Sequence, residues 1–364
     1  MKKIIWIPLI ILIIGVCLAL AGFVNGGMKS IWFDRAGFHV SDGSPGNLVT
    51  VDETYNSFKN IEINVDYLER IVLKEGDAFA VRGQNYEQYG GLEVQLDNDT
   101  IKVNSLDDKK WMINVDFGEL FRNNDTWLEV TYPAGAKIGF VNSKLSAGDI
   151  SISSIDCDDF SVDNDFGKID ISSVQASTLT VIANAGDINI FDVIATGNVL
   201  IDNDFGDVTI DSIKGSDLDV TLNAGKLKTT AAQADNTIKL KNDFGKIEVN
   251  GMEADTITMD QNSGDFEANK VTARNLDFEN DFGTVNLDQL TFTGICEIEN
   301  SSGDIKLTLL MNRDDVSYDL ETDAGSVSVD GVKSNGSISN RAAGGATTLN
   351  AKTDFGSIRV EFLK

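Results

Sequence analysis

Glycine recurs at positions 148, 167, 186, 206, 225, 245, 264, 283 and 303, so eight successive intervals are all 19 or 20 residues. Two looser repeats follow at Gly325 and Gly356. A fixed short period of this kind marks a stack of supersecondary units, each burying its apolar face against the next. Apolar residues stand two and four positions after the glycine, as in Ile169 and Ile171, Ile188 and Ile190, Ile247 and Val249. They also stand seven and five positions before it, as in Phe160 and Val162, Leu179 and Val181, Leu276 and Phe278. Alternation at period 2 means strands with one buried face. Each repeat therefore supplies two short strands and two bends.

These features predict an all-β chain closed as a β-solenoid, single-stranded and β-helix-like, of about ten turns of 19–20 residues. The last of the three prolines is Pro133, which fits strands hydrogen-bonded on both sides. Asparagine recurs three positions before the glycine, at Asn164, Asn203, Asn242, Asn280 and Asn300. It shares the parity of the buried residues, so a side-chain amide ladder is expected there. A longer period is superposed. Phe166, Phe205, Phe244 and Phe282 precede alternate glycines, while Ala147, Ala185, Ala224, Ser263 and Ser302 precede the others. Large-over-small packing is expected to fill that corner. A coil of about 39 residues with pseudo-twofold halves is the alternative to the 19–20-residue turn. The tripeptide Asp-Phe-Gly occurs six times without a glycine-rich loop or His-Arg-Asp motif, so it reads as a structural corner and not as a kinase signature.

Residues 4–24 carry no charge and would cover roughly 31 Å as a helix, enough to cross a bilayer core. Lys2 and Lys3 precede them, which favours a single-pass protein with its C-terminal part outside the cell membrane. The competing reading is a cleaved signal peptide ending near Ala19-Leu20-Ala21, which would make the chain secreted. The expected organisation is a membrane segment at 1–25, a juxtamembrane linker at 26–47, an irregular β-region at 48–145 capping the solenoid, and the repeats with a C-terminal cap at 146–364. Trp32, Phe33 and Phe38 in the linker suit either a bilayer interface or packing on the next domain. Cys157 and Cys296 stand about seven turns apart, roughly 34 Å, so no disulfide is expected between them.

The N-terminal apolar segment, the irregular β-region ending in a proline turn at Tyr132-Pro133-Ala134-Gly135, and the G-[DK]-[IV]-x-[IV] repeats resemble the bacterial β-strand-repeat domains labelled "putative adhesin". The resemblance covers roughly residues 48–364 and is strongest in the repeats. It implies an exported, envelope-associated protein, and it brings no catalytic motif and no site residues.

With 57 Asp and Glu against 30 Lys and Arg, the net charge is −27, which argues against nucleic acid as a partner. The single histidine, His39, removes zinc sites with several His ligands and leaves little room for a Ser-His-Asp triad. Aspartates crowd the bends. Asp163, Asp165, Asp202 and Asp204 are candidates for calcium, set against the simpler reading as turn caps. No cofactor is otherwise expected. Paired carboxylates could also serve a polysaccharide hydrolase or lyase, but they repeat equally in every turn, and Tyr318 is the one exposed aromatic expected in the repeats. The reading is a non-enzymatic, membrane-anchored surface adhesin or envelope interaction protein. Its alternative is a cell-envelope stress regulator that binds cationic peptides or a membrane partner, and a wall component is the remaining candidate ligand.

Overall fold

The computed structural model describes residues 31–34, 37–40, 47–105, 113–115, 126–344 and 347–364. Its main body is one continuous sheet of 22 strands, joined by a separate sheet of three short strands. Through the repeats, each strand pairs in parallel with the strand 19 or 20 residues further on. Ile150 pairs with Ile169, Ile169 with Ile188, and Ile188 with Val208. The second half of each repeat follows suit, with Phe160 opposite Leu179, Leu179 opposite Val199, and Val199 opposite Leu218. One repeat thus forms one rung with two strand segments, and the two stacked faces meet along a narrow apolar core. Residues of both columns are at most 2% exposed. At about 1.5–3 kcal/mol for each fully buried large aliphatic or aromatic side chain, this core dominates the favourable side of folding. Where one core position enlarges, its neighbour shrinks. Phe266 and Phe278 meet edge to face at 4.8 Å, and the next inward residue after Phe266 is Ala268.

The glycines mark the first bend. Gly206 has φ +133°, and a Cβ there would lie 2.2 Å from the carbonyl oxygen of Gly186 in the rung below. Both backbone conformation and close approach therefore demand glycine. The second bend has no such signature in the sequence. Six residues after each bend glycine from Gly148 to Gly283 the chain adopts a left-handed conformation, at Ser154, Ser173, Asp192, Ser212, Ala231, Gly251, Lys270 and Gln289. These residues share a backbone angle and no side-chain chemistry, so no residue pattern marks the bend.

At both ends the stack leaves the order of the chain. The terminal segment Thr347–Phe355 lies between Ile295–Ser302 and Val316–Val329, pairing in parallel with each. Ile358 correspondingly sits between Ile305 and Val327. At the other end Asn60–Gly76 lies between Lys137–Phe166 and the rung formed by Thr100–Asn104 and Trp127–Pro133. Beyond the outermost parallel rungs come antiparallel strands. Val332–Asn340 folds back on Val316–Val329, and Phe79–Tyr86 pairs with Trp127–Pro133 on one side and Leu48–Tyr55 on the other. Such strands cover a parallel edge that would otherwise invite pairing with another chain.

These pairings correct the expected architecture. An open β-solenoid of about ten turns stacked in chain order, behind a distinct irregular cap, is replaced by one mixed sheet whose end rungs are interleaved. The region 48–145 is woven into that sheet through the pairing of Ile71 with both Ile150 and Leu128. The expected linker holds two strands, Ile31–Asp34 and Gly37–Val40, paired to each other, and Ile31–Asp34 also pairs with Ile113–Val115. The membrane segment expected at 4–24 lies outside the described residues, and no helix among the described residues is long and apolar enough to cross a membrane. The described residues thus supply no anchor for the expected single-pass localisation and membrane partner, nor for the function built on them, whether membrane-anchored adhesin or envelope-stress regulator.

Candidate functional site

The structure's clearest surface feature begins with the residue before each bend glycine. Phe166 stands in register with Ala185, which stands in register with Phe205, and the alternation continues through Ala224, Phe244, Ser263, Phe282 and Ser302. The interleaved C-terminal rung continues it, placing Phe355 opposite Ser302 and then Ala324. All five phenylalanines are exposed, between 61% and 66%. The corner is therefore an outward row of aromatic rings, not the packed interior corner expected. Phe166 has the same parity as the buried Phe160, Val162 and Asn164, but the strand ends here and the backbone is already turning. Tyr318, expected to be exposed, is 3% exposed and receives a hydrogen bond from Arg313 at 2.8 Å.

A polar column runs beside the rings. The aspartate before each of the first four phenylalanines accepts a hydrogen bond from the side chain of the next rung. Asn184 donates to Asp165 at 2.6 Å, Asn223 to Asp204 at 2.5 Å, Asn262 to Asp243 at 2.9 Å, and Ser301 to Asp281 at 3.4 Å. The residues just after the bend glycines form the other flank. There Asp149, Asp187, Asp207, Asp265 and Asp304 accept from backbone N–H groups one rung on, at 2.8–2.9 Å. The bend aspartates therefore tie rung to rung instead of capping their own turns as expected. The outcome is an aromatic row flanked by hydrogen-bond acceptors whose donors are already engaged.

Behind the row, the inward amides hold the bend backbone. Asn164 donates to the carbonyl of Gly148 at 3.0 Å, Asn203 to Gly186 at 3.1 Å, Asn242 to Gly225 at 3.1 Å, and Gln261 to Gly245 at 2.6 Å. The expected amide ladder is thus mostly a set of side-chain to backbone bonds. Asn280 and Asn300 make a direct amide contact, at 3.3 Å, while Ala183 and Leu222 interrupt the column.

Three of the four calcium candidates are engaged within the protein. Asp163 pairs with Lys144 at 2.9 Å, and Asp165 and Asp204 accept from Asn184 and Asn223. The Asp202 carboxyl is held above its usual range by burial, and then by Asp204 and Asp219. Among the described residues no group of three or more His, Cys, Asp or Glu side chains is placed to hold a metal ion. A shallow polar cleft of about 460 Å³ lies over Lys228, Thr230, Glu248, Asn250 and Glu267. Two of its lining carboxylates are already paired, Glu248 with Lys246 at 3.0 Å and Glu267 with the same lysine at 2.8 Å.

A family model described as Toastrack DUF4097 matches residues 58–250 and 235–363. No curated protein matches the chain. Among solved structures, a "putative cell adhesion protein" from Clostridium sporogenes ATCC 15579 is 8% identical with a TM-score of 0.24, covering 87% of this chain and 100% of its own. A "putative adhesin" from Bacteroides fragilis NCTC 9343 is 10% identical with a TM-score of 0.24, covering 87% and 97%. A "putative lipid binding protein" from Parabacteroides distasonis ATCC 8503 is 12% identical with a TM-score of 0.25, covering 88% and 98%.

Proposed function

The chain belongs to the Toastrack DUF4097 family, and on that footing we propose that this non-enzymatic protein is an adhesin-like binding scaffold whose contact surface is the row from Phe166 to Phe355. The observation that carries the reading is the regular exposure of five large apolar rings on an otherwise acidic protein. Isolated exposed apolar residues need no explanation, but a contiguous aligned set marks an interaction surface. The carboxylates of the bends are engaged with the neighbouring rung, at the same place in successive rungs, so they serve the scaffold and not a reaction.

A binding assay on whole cells tests this before any ligand is identified. Fluorescently labelled full-length protein is titrated onto intact bacterial cells and compared with the triple variant Phe205→Ser, Phe244→Ser, Phe282→Ser. Loss of the central rings is expected to weaken cell binding by roughly tenfold or more. Unchanged binding by a correctly folded variant overturns the reading.

A further inference from the structure

We infer that the row accommodates an extended, uncharged β-1,4-linked glycan, lying along the stack with alternate sugar rings against successive phenylalanines; this rests on the reading of the row as the contact surface. The spacing is the first argument. A ring on every second rung repeats at about 9.6 Å, and the row from Phe166 to Phe355 covers about 38 Å. The ligand must therefore be long, straight and periodic, with one apolar face presented per repeat. In a β-1,4-linked pyranose chain each unit is turned over relative to the last, so every second sugar shows the same C–H face at nearly the length of a disaccharide. The small residues between the rings, Ala185, Ala224, Ser263 and Ser302, leave room for the intervening sugar.

The flanks supply the second argument. Asp165, Asp204, Asp243 and Asp281 line one side of the rings as acceptors, and the neighbouring donors, the Asn184, Asn223 and Asn262 amides and the Ser301 hydroxyl, are already bonded to them. Such a border suits a ligand rich in hydroxyl donors and repels an anionic polymer. It does not suit a proline-rich peptide. The polyproline II helix has a similar repeat of about 9.3 Å, but it offers carbonyl acceptors and needs donors from its receptor. A second copy of the chain is also disfavoured. Five rings about 60% exposed, each of roughly 200 Å², give about 600 Å², short of the roughly 800 Å² per partner of a stable interface. Two such rows would also bring their aspartate columns together.

The test is calorimetric titration of the full-length protein with β-1,4-linked N-acetylglucosamine and glucose oligomers. The series runs from disaccharide to hexasaccharide, with α-1,4-linked glucose oligomers of equal length as controls. Affinity is expected to rise about tenfold once the β-linked oligomer is long enough to reach a second ring, and the α-linked series is expected not to bind. Phe244→Ser, at the centre of the row, is expected to lower hexasaccharide affinity by about tenfold, and Phe355→Ser, at its end, by less. Thermal unfolding confirms that both variants fold. Absence of binding, binding independent of length, or equal binding of the α-linked series overturns the proposal. So does Phe-dependent binding of a proline-rich peptide, or Phe-dependent dimerisation in sedimentation, where no glycan binds. If glycans fail while the triple variant still loses cell binding, the ligand class is wrong and the contact surface stands. If the triple variant keeps cell binding, the contact surface itself falls.

Discussion

Thr353 donates its hydroxyl to the carbonyl of Gly303 at 3.1 Å, doing across 50 residues what Asn300 does for Gly283 across 17 at 3.0 Å. The same bend backbone is supported in the same way, although the chain has left and returned in between. Gly303 N–H likewise donates to the carbonyl of Phe355 at 2.8 Å, and Gly356 N–H to that of Ala324 at 3.1 Å. The C-terminal rung is thus held on both sides by bonds of the repeat type.

Ile358 therefore supports two rungs that are distant in sequence, and both should respond to its truncation. Ile358→Ala is expected to cost about 2–5 kcal/mol in chemical denaturation. Hydrogen exchange should quicken at residues 305–309 and at 327–329 together. Quickening confined to one of these segments contradicts the interleaved order.

The bend glycines are irreplaceable for a reason that a matched control can isolate. Gly245 has φ +137°, and a Cβ there would lie 1.9 Å from the carbonyl oxygen of Gly225, whereas a Cβ on Gly344 meets nothing within 4 Å. Gly245→Ala should destabilise by about 3 kcal/mol or more, and Gly344→Ala should stay within about 0.5 kcal/mol. Equal midpoints in urea for the two variants would sink the argument.

The inward amide matters because it satisfies a buried carbonyl, yet one rung below it Leu222 fills the aligned position. Asn242→Ala leaves the Gly225 carbonyl without its donor and opens a cavity, costing about 2–4 kcal/mol. Asn242→Leu keeps the volume and should recover part of that loss. A leucine variant no more stable than the alanine variant shows that volume contributes nothing there.

Both described cysteines are buried thiols. Burial, and then the negative charges of Asp156, Asp158 and Asp159, push the Cys157 thiol up from 9.0 to about 12. Cys296 is pushed up as well, by burial and then by Glu297 and Asp277. A raised folded pKa contributes stability that is complete below the unfolded value and lost as pH climbs toward the folded one. Unfolding midpoints should therefore fall as pH rises from about 9 towards 12, and less steeply in Cys157→Ala. Neither thiol should react with a disulfide reagent at about pH 8 until denaturant is added. Rapid labelling of the native protein refutes the burial of these sites.

Much of the scaffold is readable without coordinates. The alternation of Ile169 and Ile171 with polar neighbours reports an inward face, and the spacing of Gly167, Gly186 and Gly206 reports where the chain must turn. The recurrent Asp-Phe-Gly is equally visible in the sequence, but its exposure is not. Period-2 parity places Phe166 with Val162 and Asn164, and that rule holds only while the strand continues.

By itself, the amino-acid order determined the rung length, the two strand segments per rung, their buried faces and the glycine bends. Each of these is a local requirement of backbone geometry or of alternation. Only the tertiary structure decided that the phenylalanines point outward, because a bend ends the alternation that parity relies on. It alone decided that residues 347–362 enter the stack ahead of 316–329, and that residues 60–76 enter between two later segments. The rungs offer much the same apolar face and ladder of backbone groups to their neighbours, so no local pattern ranks one neighbour above another. That choice falls to pairings between residues tens of positions apart.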